Sequence, residues 1–528
     1  MLKKISPLVL LVYAIVSVIV FQDYGLNIDE SIERKHGVVT YNYVLSKFGL
    51  DSEVENTNLY DLNHYDHKDY GSIFQVVCYV FELNLNLKST KQIFLLRHAL
   101  TMLFFILALY QFQWCIFHLF QNYLYVILGV ILIITCPRIF ADSFYNSKDI
   151  VFLSLVIFCI ATFLKNQYSQ SYKSIAIHSL TTGLLISTRI LGVYIFILTI
   201  IILIMPSKIN FQFSRRRVIN TGKMVILYML LTGCFSFIFW PSLWQNPVSN
   251  FSQAFENMKQ FRWYGQVFYM NEFIEANRLP WHYPLIWIGI TIPVFYLVYC
   301  ILGTSFIITQ TLRNGTVDKN RLFLIMALVI PIASTITLNS TLYNGWRHLY
   351  FVTPFLIILS LYGIRWLIEI SNVNKGKITL KSLAIILLVL GMLEITSTIY
   401  FMVKNHPYQF AYFNAIGKSQ IGSFETDYYG LTYKDALAYI LEEEKRADKI
   451  EICSPHLAGQ INRFYFNEKE YSKIVYTDLQ SSKYFITNPY VSSIECAKYR
   501  NNEFPYNQPK VFSVNVLNSD LVIVYKLK

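Results

Sequence analysis

Charge is scarce in this 528-residue chain. Asp, Glu, Lys and Arg make up 15% of it, against roughly a quarter in soluble domains, while hydrophobic residues reach 54% and aromatics 16%. That balance excludes an ordinary soluble enzyme and a disordered chain. A Gly-rich phosphate loop, a GxGxxG run, an HExxH pattern and paired CxxC motifs are all missing, so neither a nucleotide-binding fold nor a structural zinc site is expected. The net charge of +12 does not point to nucleic acid, because the basic residues are scattered over short loops rather than gathered into an aromatic-interleaved patch. Cysteines number eight, and Cys115, Cys136, Cys159, Cys234 and Cys300 fall in or beside apolar runs, where they act as small apolar residues. Cys453 and Cys496 are the only pair in the C-terminal region, and a disulfide between them requires that region to face an oxidising compartment.

What the chain has instead is a series of long apolar runs. Eleven are expected to form helices spanning, or nearly spanning, a bilayer: residues 5–21, 94–117, 122–136, 150–164, 174–188, 190–205, 223–240, 285–309, 322–338, 351–369 and 380–400. One set of alternate loops collects Lys3, Lys4, Lys165, Lys173, Lys208, Arg215, Arg216, Arg217, Lys223, Arg313, Lys319, Arg321, Lys375, Lys377 and Lys381, which makes it cytoplasmic by the positive-inside rule. The opposite set includes residues 22–91, with eleven acids against six bases. Residues 5–21 lack a small-residue cleavage site and read as a retained first helix. The N-terminus is therefore expected in the cytoplasm and residues 404–528 outside it. The fold class is mainly α: a polytopic helix bundle over 1–403, with a small extracytoplasmic α/β domain over 404–528. In that domain 437–449 reads as a polar helix, and 473–476, 484–487 and 521–525 read as strands. Outer segments 22–91, 137–149 and 241–284 are too long or polar for simple turns, and 72–87, interrupted by Gln75 and Glu82, suits an amphipathic interfacial helix.

Polar residues concentrate at the outer ends of the spans. Asn27-Ile-Asp29-Glu30 follows the first span, and its adjacent carboxylates suit a general base as well as a solvated acidic helix start. Pro137-Arg138-Ile-Phe-Ala-Asp142 and Asn146-Ser-Lys148-Asp149 crowd ionisable groups against hydrocarbon, where such groups are costly and usually functional. Arg138 and Lys148 suit a phosphate, or snorkelling and pairing with the nearby aspartates. Arg97-His98, Arg189 and Arg347-His348 leave cations on the side where the positive-inside rule does not put them, which calls for an anion: a lipid phosphate, or Asp29, Asp142 or Asp149. His64-Tyr-Asp66-His67-Lys-Asp69 has ligand-like spacing for a divalent metal, yet suits a solvated loop equally.

Together these stretches resemble membrane glycosyltransferases of the GT-C type, specifically glycosyltransferase family 39, with the protein O-mannosyltransferases and the aminoarabinose transferases of lipid A. The matching elements are Asp29-Glu30, Arg97, the 137–149 connector, Pro280-Trp-His-Tyr-Pro284 and Arg347-His348. His406-Pro-Tyr-Gln-Phe410, Tyr412-Phe-Asn414 and Phe424-Glu-Thr-Asp-Tyr-Tyr-Gly430 resemble motifs that open an outer domain in bacterial members. The resemblance implies a sugar carried on a polyprenyl phosphate, bound from the bilayer and transferred with inversion to an acceptor hydroxyl of a glycan, lipid or protein outside the cytoplasm. Asp29 is then the base, helped by Glu30, with Asp142 and Asp149 as a second acidic site; Arg138, Lys148, Arg97, Arg189, Arg347 and His348 are phosphate candidates. The resemblance fixes no cofactor, and a divalent metal is left open. Lipid flippases and oligosaccharide polymerases are the competing readings. A flippase places its ionisable residues near the midplane, often in repeated halves, and here they cluster at one face. Residues beyond 404 hold no expected catalytic group and are assigned to acceptor recognition or capping.

Overall fold

A computed structural model describes residues 2–50, 62–169, 171–206, 215–259, 263, 265–372, 378–490 and 503–528. Cys496, and with it any pairing to Cys453, lies outside them, as do Lys208, Lys375 and Lys377 of the basic loops.

Each apolar run is helical, the one arrangement that lets a single segment satisfy its own backbone in hydrocarbon. The first elements are α1 (Leu2–Val20), α2 (Glu30–Lys47), α3 (Ile73–Asn84), α4 (Thr90–Phe120), α5 (Tyr123–Ile134) and α6 (Pro137–Tyr145). The 137–149 connector, expected to be a polar loop, contains this sixth helix, buried along its whole length. Pro137 causes it: the ring forces Cys136 into an extended conformation, which ends α5, and then opens α6 from its first position. The two helices meet at 70°.

Next come α7 (Asp149–Ser169), α8 (Tyr172–Thr188), α9 (Val193–Ile204), α10 (Arg215–Phe239) and α11 (Pro247–Lys259), then the hairpin β1 (Gln266–Tyr269) and β2 (Glu272–Glu275). The run expected as one span over 285–309 is two helices, α12 (Tyr283–Thr291) and α13 (Val294–Asn314), because Pro293 holds Ile292 extended. Helices α14 (Lys319–Thr337), α15 (Thr353–Asn372) and α16 (Ile378–Lys404) complete the bundle. Among the described residues eight helices are long and apolar enough to cross a membrane, or nine with the bent α5–α6 pair. The other two expected spans are the shorter α8 and α9, of 17 and 12 residues. Asp23 Oδ2 meets His406 Nε2 at 2.8 Å, so the C-terminal ends of α1 and α16 lie together.

The most buried long helices are α7 and α15, with 89% and 83% of their apolar windows inside the protein, against 11% for α16. Close packing comes from small residues, since lipid offers helices no hydrophobic drive to associate. A Cβ on Gly303 of α13 would stand 1.9 Å from the Leu359 carbonyl of α15, and one on Gly363 2.1 Å from the Tyr299 carbonyl.

Beyond α16 the chain does not leave the bundle at once. Asn414 donates from Nδ2 to the carbonyls of Gly289 (2.7 Å) and Ile292 (2.6 Å), and Phe268 accepts from the Glu425 backbone N–H at 3.1 Å. The α/β unit follows with α17 (Tyr433–Glu443), β3 (Ile450–Cys453), α18 (Leu457–Asn462), α19 (Glu468–Tyr471), β4 (Ile474–Tyr476), β5 (Tyr484–Thr487), β6 (Lys510–Val516) and β7 (Ser519–Lys526). Strand order is β4-β3-β5-β7-β6, parallel through β3 and antiparallel at β7. The three expected strands are present; the helix begins at Tyr433 and ends at Glu443, earlier than the polar pattern over 437–449 suggests.

Candidate active site

The two innermost helices both begin at the charged end of the bundle. Asp149 is the first residue of α7, with its backbone N–H donated at 2.8 Å to Asn146 Oδ1, and Arg347 opens the short helical turn leading into α15. A carboxylate suits a helix start, where backbone N–H groups and the helix dipole both favour negative charge.

Asp149 is 1% exposed and binds Arg189 through Oδ1, while Oδ2 stands 3.6 Å from Arg347 Nη1. Arg347 reaches Asp29 Oδ2 at 3.2 Å with the same nitrogen. Its guanidinium lies 4.9, 5.1 and 5.2 Å from the ring centres of Tyr343, Tyr428 and Tyr429. The Tyr429 hydroxyl accepts from Arg347 Nη1 and Asn146 Nδ2, both at 2.9 Å, and donates to Asp149 Oδ2 at 3.3 Å. Asn146 Nδ2 also reaches Asp142 Oδ2 at 3.2 Å, and Tyr145 donates its hydroxyl to Asp142. Three aspartates, two arginines and two tyrosines, joined through Asn146, thus form a connected, largely buried cluster. Burying such charges is tolerable only because each is matched.

A cavity of about 480 Å³ adjoins it. Arg189, His348 and Tyr70 line it together with Asn257 and the hydroxyl side chains at 334, 335, 340 and 341, and Ile190, Leu191, Leu338, Leu342 and Leu349 give it an aliphatic part. The segment between α2 and α3 supplies one wall through Asp66, His67, Asp69 and Tyr70. Gly71 allows this: its N–H donates to the Thr188 carbonyl at 3.2 Å, and a Cβ there would fall 1.1 Å from the Ser187 oxygen. Only a glycine lets the loop lie this close to the residue before Arg189.

The other expected site residues have partners of their own. The Glu30 carboxylate accepts the backbone N–H of Asn27 at 2.8 Å and meets His98 Nε2 at 3.0 Å, both side chains nearly fully buried. Arg97 bonds the Gln75 amide oxygen. Helix α3 turns Gln75 and Glu82 inward, to Arg97 and Arg34 respectively, so its polar positions face protein. Arg138 is clasped by the rings of Trp287 and Phe413, at 5.2 and 5.3 Å, and donates to the Tyr412 carbonyl at 3.4 Å. Lys148 stands 3.6 Å over the Tyr70 ring centre. Nearby, Ser147 and Gln75 both bond Glu33, whose carboxyl is pushed above the usual range by burial, against the pull of Lys148. Burial also pushes His36 down to about 3, helped by Lys148 and His67, so it is neutral. Among the described residues no three His, Cys, Asp or Glu side chains are placed to hold a metal ion; His64 is exposed while Asp66, His67 and Asp69 face the cavity.

Sequence reasoning missed Tyr429 and Tyr70. The Phe424–Gly430 stretch was legible as a motif, but its assignment to the outer domain hid that Tyr429 reaches into the charged cluster. Tyr70 carries no signal beyond a place at the end of a polar run.

No protein-family model matches the chain, and no curated protein matches it. Solved structures do. The apo oligosaccharyltransferase of Archaeoglobus fulgidus aligns with a TM-score of 0.50 at 11% identity, covering 92% of this chain and 69% of that one. The same archaeal protein, AglB, in complex with an inhibitory peptide and a dolichol-phosphate aligns with a TM-score of 0.47 at 10% identity, over 94% and 70%. ArnT from Cupriavidus metallidurans, bound to undecaprenyl phosphate, aligns with a TM-score of 0.47 at 12% identity, over 99% and 97%. At such identities the likeness is one of architecture: the chain has the GT-C glycosyltransferase fold, in the form seen in the archaeal oligosaccharyltransferase.

Proposed function

We propose that the protein is a membrane glycosyltransferase that moves a sugar from a polyprenyl phosphate to an acceptor hydroxyl, with inversion, on the extracytoplasmic side of the membrane. The observation that carries this reading is the division of labour between Asp29 and Asp149. Asp149 is saturated by Arg189, Arg347, Asn146 and Tyr429, whereas Asp29, 25% exposed, holds one ion pair, to Arg347. Asp149 is built to hold arginines; Asp29 retains the access a base needs.

The cavity supplies the rest. Its aliphatic part suits an isoprenoid chain, and Arg189 and His348 in its lining suit the phosphate, Arg189 being able to present a fork of donors. In the transfer, the acceptor oxygen bonds to the anomeric carbon as the bond from that carbon to the phosphate oxygen breaks. The hydroxyl proton passes to Asp29, and the polyprenyl phosphate leaves with the bonding electrons. Arg189 is preorganised for that charge by its buried pairing to Asp149, so little reorganisation accompanies reaction. Fold likeness adds an analogy only.

The test is transfer itself. Membranes holding the protein should pass radiolabel from a polyprenyl-phosphate sugar to an endogenous acceptor, and Asp29→Asn should abolish this while leaving the protein folded. Movement of intact labelled lipid across proteoliposomes, with no bond cleaved, would replace the transferase by a flippase.

A further inference from the structure

A second cavity, of about 30 Å³, is lined by Asn344, Arg347, Glu425, Thr426 and Tyr428 among others. It has room for one or two water-sized groups. The segment that forms it is firmly held: Ser423 accepts from the Asn271 N–H at 3.0 Å, and Asn488 Nδ2 donates to the Asp427 carbonyl at 2.9 Å. The Asp427 carboxylate is taken up by Thr432, through its N–H at 3.0 Å and its hydroxyl at 2.6 Å.

Three polar atoms on the lining residues are buried with no hydrogen-bond partner among the described residues: Thr426 Oγ1, Asn344 Oδ1 and Arg347 Nε. Thr426 and Arg347 are 4% and 5% exposed. Native proteins satisfy nearly all such atoms, and three on the residues that line one small cavity mark a place for a group that is not part of the chain. The required chemistry is narrow. Arg347 Nε only donates, Asn344 Oδ1 only accepts, and Thr426 does either, so the missing group must donate and accept at once. Arg138 and Arg347 disfavour a cation there, and Asp142 and Asp427 disfavour an anion. Tyr350, Phe410 and Tyr428 add aromatic side chains to the lining.

We propose that this cavity is a hydroxyl-recognition subsite, in which Thr426, Asn344, Glu425 and Arg347 receive one hydroxyl or hydroxymethyl group of a sugar. It rests on the transferase reading and adds a specificity site to it. The sugar belongs either to the lipid-linked donor or to a glycan acceptor. Glu425 takes part through a proton: burial pushes it up to about 8, opposed by the Asn344 hydrogen bond and by Arg347 and reinforced by Asp427. The carboxyl is therefore protonated at neutral pH, accepting from Asn344 Nδ2 at 2.8 Å and donating to the sugar. Other ionisable groups that bear on it are Tyr283 and Tyr428, with Arg138 and Asp142 lining the same cavity.

The test uses the full-length protein in nanodiscs with methyl glycosides of glucose, mannose and galactose and their 6-deoxy and 2-deoxy counterparts, read by saturation-transfer NMR. One hydroxylated glycoside should bind about tenfold more tightly than its deoxy counterpart. Thr426→Val, which keeps the side chain's shape, should erase that preference without a further loss on the deoxy compound. Glu425→Gln, an uncharged mimic of the protonated acid, should retain binding and remove a decline near pH 8 that the unaltered protein shows. Competition by a polyprenyl-phosphate sugar, but not by bare undecaprenyl phosphate, would place the hydroxyl on the donor; indifference to both would place it on the acceptor. No glycoside preference, or one that survives Thr426→Val, would overturn the inference and leave the cavity to water. Binding is read without turnover, so absent transfer with intact discrimination would overturn the transferase reading alone.

Discussion

The Tyr429 hydroxyl stands 2.9 Å from Arg347 Nη1, and through that contact a residue beyond the last membrane helix fixes the charge at the head of α15. Removing the hydroxyl leaves Arg347, Asn146 and Asp149 each one partner short. Tyr429→Phe should cost about 1–3 kcal/mol of stability and lower transfer about tenfold to a hundredfold, measured by melting temperature and label transfer. An unchanged rate would make the tyrosine an onlooker.

Asp29 and Asp149 should separate cleanly. Asp149→Asn uncovers two buried arginines, and loss of one partner of a buried pair is costly, about 3–5 kcal/mol, so this variant should lose stability first. Asp29→Asn removes one ion pair from a partly exposed group and should keep its melting temperature while turnover falls about a hundredfold or more. Parallel thermal and kinetic measurements decide between them; equal melting temperatures for both variants would reject the distinction.

Gly71→Ala drives a Cβ into the Ser187 carbonyl, 1.1 Å away, so the loop must lift and carry Tyr70 and Lys148 apart. The expected result is weaker retention of undecaprenyl phosphate in native mass spectrometry, with secondary structure unchanged. Retention at the level of the unaltered protein would place the lipid elsewhere.

Glu425 makes a thermodynamic prediction with a definite sign. Its folded value of about 8 lies above the ordinary 4.5, so the folded chain holds a proton that the unfolded chain releases. The resulting stabilisation is complete below about pH 4.5, declines as pH rises and is lost above about 8. Glu425→Gln should flatten that part of the melting-temperature profile. A profile identical to the unaltered protein would show that the carboxyl is ionised in the fold.

How much of this was legible beforehand follows from the range of the forces involved. Spans are local, since a run of apolar residues in lipid has little choice but to be helical, and their breaks at Pro137 and Pro293 follow from a ring beside a backbone. Charged residues next to hydrocarbon announce themselves, which is why Asp29, Asp149, Arg189 and Arg347 stand out in the sequence. Pairing does not announce itself. Glu30 sits beside Asp29 in the chain but turns to His98, because a helix start sends adjacent side chains in different directions, and Tyr429 is 280 residues from the Asp149 it bonds. Tertiary partners of polar groups are set by how helices pack, and no short-range pattern encodes that.

Asn462, in the α/β unit, accepts the Leu26 N–H at 2.8 Å and returns a bond to the Leu26 carbonyl at 3.0 Å, three residues before Asp29. The stretch carrying the proposed base is thereby strapped to the far end of the polypeptide. Severing the chain after the sixteenth helix would unfasten the anchor of the proposed base and withdraw Tyr429 in the same cut. The α/β unit is the keystone of the arch, not its ornament.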